Sequence, residues 1–270
     1  MSSERNHSIG RREFVKTSAL AGAGMMVMPH LSFSGRQQSK KRYAIVGMGI
    51  RSRMYMGAVL DTYQQNAELV GFCDVNEGRL KLAQREAKEK GGKEIPLFRA
   101  EEFDRMVAET RPDTIIVTTV DGFHHDYIIR GMELGCDVIT EKPMTIDSEK
   151  CQAIVDTRKK TGKECTVTFN YRYSPPRTQV KELLMNGEIG DLLSVDFHWM
   201  LNTHHGADYF RRWHSLKKFS GGLMVHKATH HFDLVNWWLS AIPVAVFATG
   251  KREFYTPEMA RRFGLNSHHE

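Results

Sequence analysis

The chain has 270 residues, of which 41% are hydrophobic and 26% charged, so it is long enough to bury the cores of two modest domains. Its formal net charge of +6 would suit a nucleic-acid partner, but residues 1–42 carry eight basic and two acidic side chains and account for all of it. The rest of the chain is electrically balanced. The basic balance therefore belongs to this N-terminal segment and not to a binding face, and no nucleic-acid partner is expected.

Residues 1–40 have the pattern of an export leader. Adjacent Arg11 and Arg12 precede Phe14 and a weakly apolar, small-residue run over 19–28. Because a membrane span needs about 20 apolar residues, this run predicts a twin-arginine signal and no stable membrane insertion. We therefore expect a bacterial protein that is exported to the periplasm, whether or not the leader is removed. A disordered basic tail on a cytosolic protein is the alternative.

The four cysteines show no CxxC spacing and are typical of small core side chains rather than zinc ligands. They are Cys73, Cys136, Cys151 and Cys165. Since the twin-arginine route carries chains that have already folded in the reducing cytosol, we expect free thiols.

The first predicted strand of the folded chain ends in a glycine turn that opens a helix. Gly47 permits the tight turn, and Gly49 lets a pyrophosphate approach the backbone N–H groups of Ile50 and Arg51. Ser52 stands where a third glycine is usual and is small enough to keep the helix close to the sheet. A glycine loop alone is weak evidence for a dinucleotide, so its context decides.

The second predicted strand, over 68–73, supplies that context because it ends in Asp74, 25 residues after Gly49. A carboxylate at this strand end can accept both ribose hydroxyls of an adenosine. Its charge would repel a 2'-phosphate, and no arginine follows immediately to bind one. The predicted cofactor is therefore NAD rather than NADP. A solvent-facing loop aspartate is the alternative.

Strands and helices then continue to alternate. An apolar, β-branched run over 113–119 predicts a central parallel strand. A later short strand is predicted over 137–141, so Lys142 should lie at its carboxyl end, where Pro143 stops the strand. Residues 41–165 thus predict a doubly wound parallel sheet of the Rossmann type. The ends of its strands gather the candidate cofactor residues Gly47, Gly49, Asp74, Thr119, His124 and Lys142.

Four features together carry a family resemblance: the glycine loop, Asp74, the turn over 118–124 and, above all, Glu141-Lys142-Pro143 at the end of the fifth strand. They resemble the Gfo/Idh/MocA oxidoreductases, the glucose-fructose oxidoreductase and inositol dehydrogenase family, over most of the chain. The resemblance implies that Lys142 lies beside the nicotinamide and the reacting sugar carbon. It also implies that His124 and Glu141 help to shape the cofactor site.

Residues 166–270 predict a second, α+β domain for substrate binding and oligomerisation, with a mostly antiparallel open sheet. Alternating side chains over 192–200 and a β-rich run over 244–251 are its clearest predicted strands. Members of the resembled family have larger second domains, so we expect this domain to be incomplete and the chain to be truncated at its C-terminus. The resemblance also implies a homo-oligomer that pairs through the open sheet.

Three residues beyond the parallel sheet are candidate substrate contacts. Asn170 and Arg172 match positions that line the cleft in the resembled family, although an aromatic, basic turn can equally pack the domain junction. Trp213 lies in a polar and aromatic loop over 202–220, whose residue types suit stacking on sugar C–H faces and bonding to hydroxyls. An ordinary surface loop is the alternative for Trp213.

A histidine-rich helix supplies the last candidates. His226, His230 and Asp233 recur at helical spacing and so share one face. The resemblance implies that His230 accepts the hydroxyl proton of the substrate, while Lys142 fixes or protonates the same oxygen. A metal site of two histidines with a carboxylate, or a core-facing histidine pair, is the alternative. Hydride transfer to NAD needs no metal, so none is expected.

Two exchanges separate this chain from the pattern of the resembled family. Where that family usually has Thr-Pro-Asn, this chain has Thr119-Val120-Asp121, which predicts an altered loop near the nicotinamide. His226 stands where that family has an aspartate, and His230 takes the position of its histidine. The charge of the histidine pair is therefore left open.

The predicted function is that of an NAD-dependent oxidoreductase acting on the CH–OH group of a sugar or glycoside, with the cofactor bound tightly before export. Its catalytic candidates are Lys142, His230 and His226. One alternative is an NAD-dependent glycosidase that oxidises the sugar, eliminates the aglycone and then reduces the product. Another is a non-catalytic sugar-binding relative. In each case the expected partner is a small-molecule sugar or glycoside.

Overall fold

The computed structural model describes residues 39–91 and 93–265. Residues 1–38, which contain most of the predicted export leader, lie outside the described residues. Within the described ranges, no helix is long and apolar enough to cross a membrane. All four cysteines are free thiols, as expected.

A six-stranded parallel sheet forms the centre of the first part of the fold, with the strand order β3-β2-β1-β4-β5-β6. Its strands are β1 (Lys41–Val46), β2 (Ala67–Asp74), β3 (Leu97–Arg99), β4 (Thr114–Val117), β5 (Asp137–Glu141) and β6 (Cys165–Thr168). The predicted doubly wound sheet is confirmed, and the predicted boundary at residue 165 falls inside its last strand. The strand order reverses between β1 and β4, and ligands of such sheets bind at the carboxyl ends beside this switch point.

The central strands are apolar on both faces because both faces of the sheet are covered. Ala44 and Val46 pack into one core cluster and Ile45 packs into the other, as the alternation of a strand requires. Ile115 and Ile116 of β4 divide between the two clusters in the same way. All of β4 is buried, which confirms the predicted central strand.

Helices alternate with the strands of the sheet. They are α1 (Ser52–Gly57), α2 (Glu77–Gly91), α3 (Phe103–Thr110), α4 (His124–Glu133) and α5 (Ser148–Thr161). A π-helical turn over Ala58–Thr62 continues α1, and 3-10 turns over Ala100–Glu102 and Asp121–Phe123 precede α3 and α4. The second of these turns carries Asp121 to the carboxyl end of β4, next to the switch point.

After β6 the described chain is helical or irregular. Its helices are α6 (Pro175–Met185), α7 (Thr203–Asp208), α8 (Lys217–Ser220), α9 (Leu223–His226), α10 (Thr229–Leu239) and α11 (Pro257–Arg262), with 3-10 turns at Asn170–Tyr173 and Arg212–Ser215. α6 and α10 are joined by side-chain hydrogen bonds. The Trp238 indole donates to the carbonyl of Arg177 at 2.9 Å, and Lys181 Nζ donates to that of Trp237 at 2.7 Å.

The antiparallel sheet predicted for residues 166–270 is not present in the described part of that range. Neither 192–200 nor 244–251 forms a strand, and Leu193 and Phe247 are 94% and 92% exposed. Alternation lets a segment cover one face of a sheet, but a strand also needs neighbours for its N–H and C=O groups. No described segment pairs with either one, so the structure corrects this prediction.

Candidate active site

The glycine loop at the switch point has the geometry that a dinucleotide requires. Gly47 has φ +89°, and a Cβ atom there would lie 2.6 Å from the backbone nitrogen of Thr119, so only glycine fits. A Cβ atom on Gly49 would meet nothing within 4 Å. This open space, beside the exposed Ile50 and Arg51, leaves room for a pyrophosphate to approach the backbone.

Asp74, at the end of β2, fastens the same loop. Its Oδ2 accepts a hydrogen bond from the backbone N–H of Met48 at 2.5 Å, and its Oδ1 accepts one from Asn76 at 2.7 Å. A carboxylate has about four lone-pair sites, so both oxygens can still accept a ribose hydroxyl. The loop and Asp74 therefore fit NAD, and the carboxylate charge opposes the 2'-phosphate of NADP.

His124 braces the two turns that flank the site. Its Nδ1 lies 2.8 Å from the carbonyl oxygen of Pro143, and its Nε2 lies 3.2 Å from that of Thr119. The tautomer decides which of the two nitrogens donates. The residue is 1% exposed, so it links the turn after β4 to the turn that contains Lys142 from within the fold.

Glu141, the last residue of β5, is also buried. It accepts a hydrogen bond from the Tyr55 hydroxyl at 2.9 Å and lies 3.6 Å from Nε of Arg51. Burial, followed by the charge of Glu141, raises the pKa of Tyr55, so the phenol keeps its proton. Glu141 thus ties β5 to α1 and the glycine loop. No motif in the sequence marks Tyr55 as part of this link.

Lys142 follows directly after β5 and is half-buried. Its Nζ donates a hydrogen bond of 2.7 Å to the carbonyl oxygen of His226. Burial is the main cause that lowers the pKa of Lys142 to about 8, with nearby carboxylates and cations acting in opposite directions. A lysine with a pKa this close to the working pH can both accept and return a proton.

Asp121 and His226 form a hydrogen-bonded pair that the sequence did not single out. Nδ1 of His226 lies 2.5 Å from Oδ2 of Asp121, a residue that is 4% exposed. Asp121 precedes α4 and His226 ends α9, so the contact joins two distant parts of the chain. Both positions depart from the pattern of the resembled family, and this shared departure was the available signal for the pair.

His230 lies in α10 with its ring stacked on Tyr171, at 4.0 Å between ring centroids and 8° between planes. It is 4% exposed, and its Nδ1 has no hydrogen-bond partner among the described residues. Burial first, and then the charge of Lys142, lower the pKa of His230 to about 3. Such a group is mostly unprotonated at neutral pH, and the role of proton acceptor that the resemblance implied for it stays a prediction.

The two histidines do not lie on one continuous helix. α9 ends at His226 and α10 begins at Thr229, so the helix predicted through His226, His230 and Asp233 is interrupted. No proline or glycine marks this break, which is why spacing alone missed it. In the part of the chain that the structure describes, no three His, Cys, Asp or Glu side chains form a group that could hold a metal ion.

The three predicted substrate residues have different surroundings. The Arg172 guanidinium forms a bidentate ion pair with Asp233, in which Nε donates at 2.8 Å. Asn170 is exposed at the start of the turn after β6. The indole of Trp213 meets the ring of His226 at 5.4 Å and 90°. Trp213 therefore flanks a catalytic candidate, whereas Arg172 is already engaged, and the substrate roles stay predictions.

Two family models match the chain. Residues 41–169 match the oxidoreductase family GFO_IDH_MocA, NAD-binding Rossmann fold, and residues 181–264 match the C-terminal alpha/beta domain of that family. The first match covers all six strands of the parallel sheet. The second covers His226 and His230.

Three relatives show what this chain is similar to. YteT of Bacillus subtilis is 39% identical over 217 residues, which are 79% of this chain and 50% of YteT. Glycosyl hydrolase family 109 protein 1 of Akkermansia muciniphila is 29% identical over 69% of this chain and 40% of its own. The crystal structure of the WlbA dehydrogenase from Chromobacterium violaceum, in complex with NADH and UDP-GlcNAcA, has a TM-score of 0.63 at 28% identity, over 80% of this chain and 58% of WlbA.

The chain spans about half the length of the curated relatives that it matches. Its two matched regions nevertheless cover most of its own length and include the glycine loop, Asp74 and Lys142. The chain therefore carries an NAD-binding Rossmann domain and belongs to the Gfo/Idh/MocA family of oxidoreductases.

Proposed function

We propose that this protein oxidises a secondary alcohol of a sugar or glycoside with NAD as the hydride acceptor. The observation that carries the proposal is the position of Lys142, which directly follows Glu141, a residue that lies 3.6 Å from Arg51 of the loop that fits NAD. The pKa of Lys142, about 8, suits proton transfer near neutral pH. The similarity to WlbA, a dehydrogenase solved with NADH and UDP-GlcNAcA, supports the choice of a sugar-like substrate.

When bound, NAD supplies the hydride acceptor, and the chain supplies position and proton transfer. Gly47, Gly49 and Asp74 would hold it. In its neutral form, Lys142 takes the hydroxyl proton at Nζ, the atom that the carbonyl of His226 orients.

The residues around Lys142 position its side chain and the substrate. Because Asp121 holds the ring of His226, the carbonyl that orients Lys142 is fixed from the side of the Rossmann domain. His230 stays neutral and offers its Nδ1, which has no hydrogen-bond partner in the described part of the chain, to another substrate hydroxyl. In this mechanism Lys142 moves the proton, and His230 orients the sugar.

The test begins with the cofactor. The purified protein is denatured and the released nucleotide is identified by mass, with NAD as the expected result. Sugars and glycosides are then added to NAD-loaded protein, and the absorbance of reduced nicotinamide is followed. If the protein holds no dinucleotide and takes up none when it is added, the proposed function fails.

A second candidate function has its own support, the similarity to the glycosyl hydrolase family 109 protein. In that case the chain would oxidise a glycoside, release the aglycone by elimination and reduce the product on the same NAD. Product analysis separates the two. A keto-sugar with stoichiometric reduced NAD supports plain oxidation, whereas free aglycone without net reduction of NAD supports glycoside cleavage.

We further propose that residues 1–40 direct export by the twin-arginine route after the protein has folded around tightly bound NAD. The pattern of Arg11 and Arg12 before a weakly apolar run supports this proposal. Replacing both arginines with lysine should keep the protein in the cytosol of the producing cell. A protein that still reaches the periplasm after this change would contradict the proposal.

A further inference from the structure

Lys227, which lies between α9 and α10, carries a positive charge that has no ion-pair partner among the described residues. It is 6% exposed. Its Nζ donates a 2.7 Å hydrogen bond to the hydroxyl of Tyr171 and lies 5.0 Å from the centre of that ring. Lysine is almost never buried to this degree unless a negative charge pairs with it. Lys227 is therefore a buried cation without the negatively charged partner that usually accompanies one, among the described residues.

The carboxylates of the same region are engaged by other groups. Asp121 is hydrogen-bonded to His226 at 2.5 Å, and Asp233 is bound in two places by Arg172. Neither acid is free to neutralise Lys227. Among the described residues around Tyr171, neither Lys227 nor Arg177 has an ion-pair partner, so positive charge is in excess beside this ring.

The excess charge acts where the substrate would bind. The positive charge of Lys227 contributes to lowering the pKa of Lys142 and of His230, in each case after burial. The ring of Tyr171 stacks on His230, whose buried Nδ1 has no described partner. Lys227, Tyr171 and His230 therefore form one connected polar group that reaches the predicted catalytic residues.

We propose that Lys227 and Tyr171 bind a carboxylate of the substrate, so that the sugar is a uronic acid or a uronide. Tyr171 accepts its hydrogen bond from Lys227, which leaves its own O–H to donate. An ammonium and a hydroxyl side by side offer donors to both oxygens of one carboxylate. His230, Trp199 and Arg177 lie against the ring of Tyr171, which is half-buried, so the ligand would reach the pair at the hydroxyl end of this ring.

A carboxylate fits the observations better than a phosphate group does. A phosphate presents three oxygens and up to two charges, and arginine is the side chain that matches it with paired donors. Arg172 already uses two donors on Asp233, and Arg177, whose guanidinium carbon lies 4.2 Å from the centre of the Tyr171 ring, donates from one nitrogen to the Ser174 hydroxyl at 3.0 Å. This uronide inference rests on the proposed oxidoreductase function, because both concern the same cleft.

The experiment measures binding by calorimetry on NAD-loaded protein, with sugars that differ only in the carboxylate. Methyl glucuronide is compared with methyl glucoside and with the methyl ester of the glucuronide, and the galacto series is treated in the same way. In at least one series, the uronide is expected to bind about tenfold tighter or more than both neutral compounds. Uronides that bind no tighter than the neutral sugars in either series would overturn the proposal.

Variants assign the preference to its residue. Lys227→Met should remove the preference for the uronide, and Lys227→Arg should keep part of it, because the charge remains. Lys251→Met, at a lysine whose side chain is 78% exposed, should keep all of it. Affinity for NAD shows that each variant is folded. If folded Lys227→Met still binds the uronide more tightly than the neutral sugars, the proposal is overturned. If this variant does not fold, the comparison of sugars on the wild-type protein tests the proposal alone.

The failure of this inference can be told apart from failure of the proposed function. If glucoside and uronide bind equally and both reduce NAD, the uronide inference is overturned and the oxidoreductase stands. If the uronide binds tightly but NAD is never reduced, the inference is supported and the oxidoreductase fails.

Discussion

Lowering the pH should switch off sugar oxidation by protonating Lys142. With a pKa of about 8, about 1% of this lysine is neutral at pH 6, about half at pH 8 and about 90% at pH 9. Only the neutral amine accepts the hydroxyl proton. The value of kcat/KM for oxidation should therefore rise about tenfold per pH unit up to about pH 7 and level off above about pH 9.

Two variants should move this rise in opposite directions. The negative charge of Asp121 raises the pKa of Lys142, so Asp121→Asn should shift the rise to lower pH. The positive charge of Lys227 lowers the same pKa, so Lys227→Met should shift the rise to higher pH. A general loss of structure would not produce shifts of opposite sign.

The assay follows the absorbance of reduced nicotinamide at saturating NAD and constant ionic strength, from about pH 6 to about pH 10. The affinity of each variant for NAD serves as the control for folding. A profile that is flat across this range in the wild-type protein would refute the assignment of Lys142 as the proton acceptor. Shifts of the same sign in both variants would refute the charge network around it.

Three further predictions concern the cofactor loop and the ion pair near the cleft. Gly47→Ala and Gly135→Ala both place alanine at φ +89°, which costs each variant about 1 kcal/mol of stability. Only the alanine at position 47 would also clash with backbone atoms, so urea denaturation should show Gly47→Ala to be less stable than Gly135→Ala by about 1 to 3 kcal/mol. Asp74→Asn removes the charge that opposes a 2'-phosphate, so the preference for NAD over NADP should fall about tenfold by calorimetry, and an unchanged ratio would contradict this. Arg172→Met leaves the carboxylate of Asp233 unpaired at 9% exposure and should cost about 2 to 3 kcal/mol of stability; a cost below about 1 kcal/mol would show that the pair behaves as a surface ion pair.

The Rossmann part of the fold could be predicted because its signals are local. A β-branched run marks β4, Gly47 marks the turn after β1, and Asp74 marks the end of β2. Each depends on neighbouring residues in the sequence and on the rule that strand ends meet at one edge of a parallel sheet. Lys142 was placed correctly after β5 for the same reason.

The rest of the site depends on contacts that no local pattern encodes. The Asp121 and His226 pair joins residues 105 positions apart, and the bond from Tyr55 to Glu141 spans 86. Helical spacing through His226 and His230 gave no sign of the break before α10. Each of these features follows from how separate elements pack, so the sequence could name the candidates but not their partners.

After β6, a local sequence pattern predicted strands that the structure does not contain in its described residues. Alternating side chains over 192–200 predicted a strand, yet this segment is irregular and largely exposed in the structure. A pleated surface is stabilised only by neighbouring strands and by a covered face. The pattern was real, but it could not report whether a neighbouring strand was present.

The central claim is that Lys142 transfers the proton while NAD takes the hydride. Its most direct test is a single-turnover measurement of the reduction of bound NAD by a sugar, in the wild-type protein and in Lys142→Met. We expect Lys142→Met still to bind NAD through the glycine loop and Asp74, and to reduce it about 100-fold to 10,000-fold more slowly once it is saturated with NAD. Equal rates of NAD reduction in the two proteins would contradict the account.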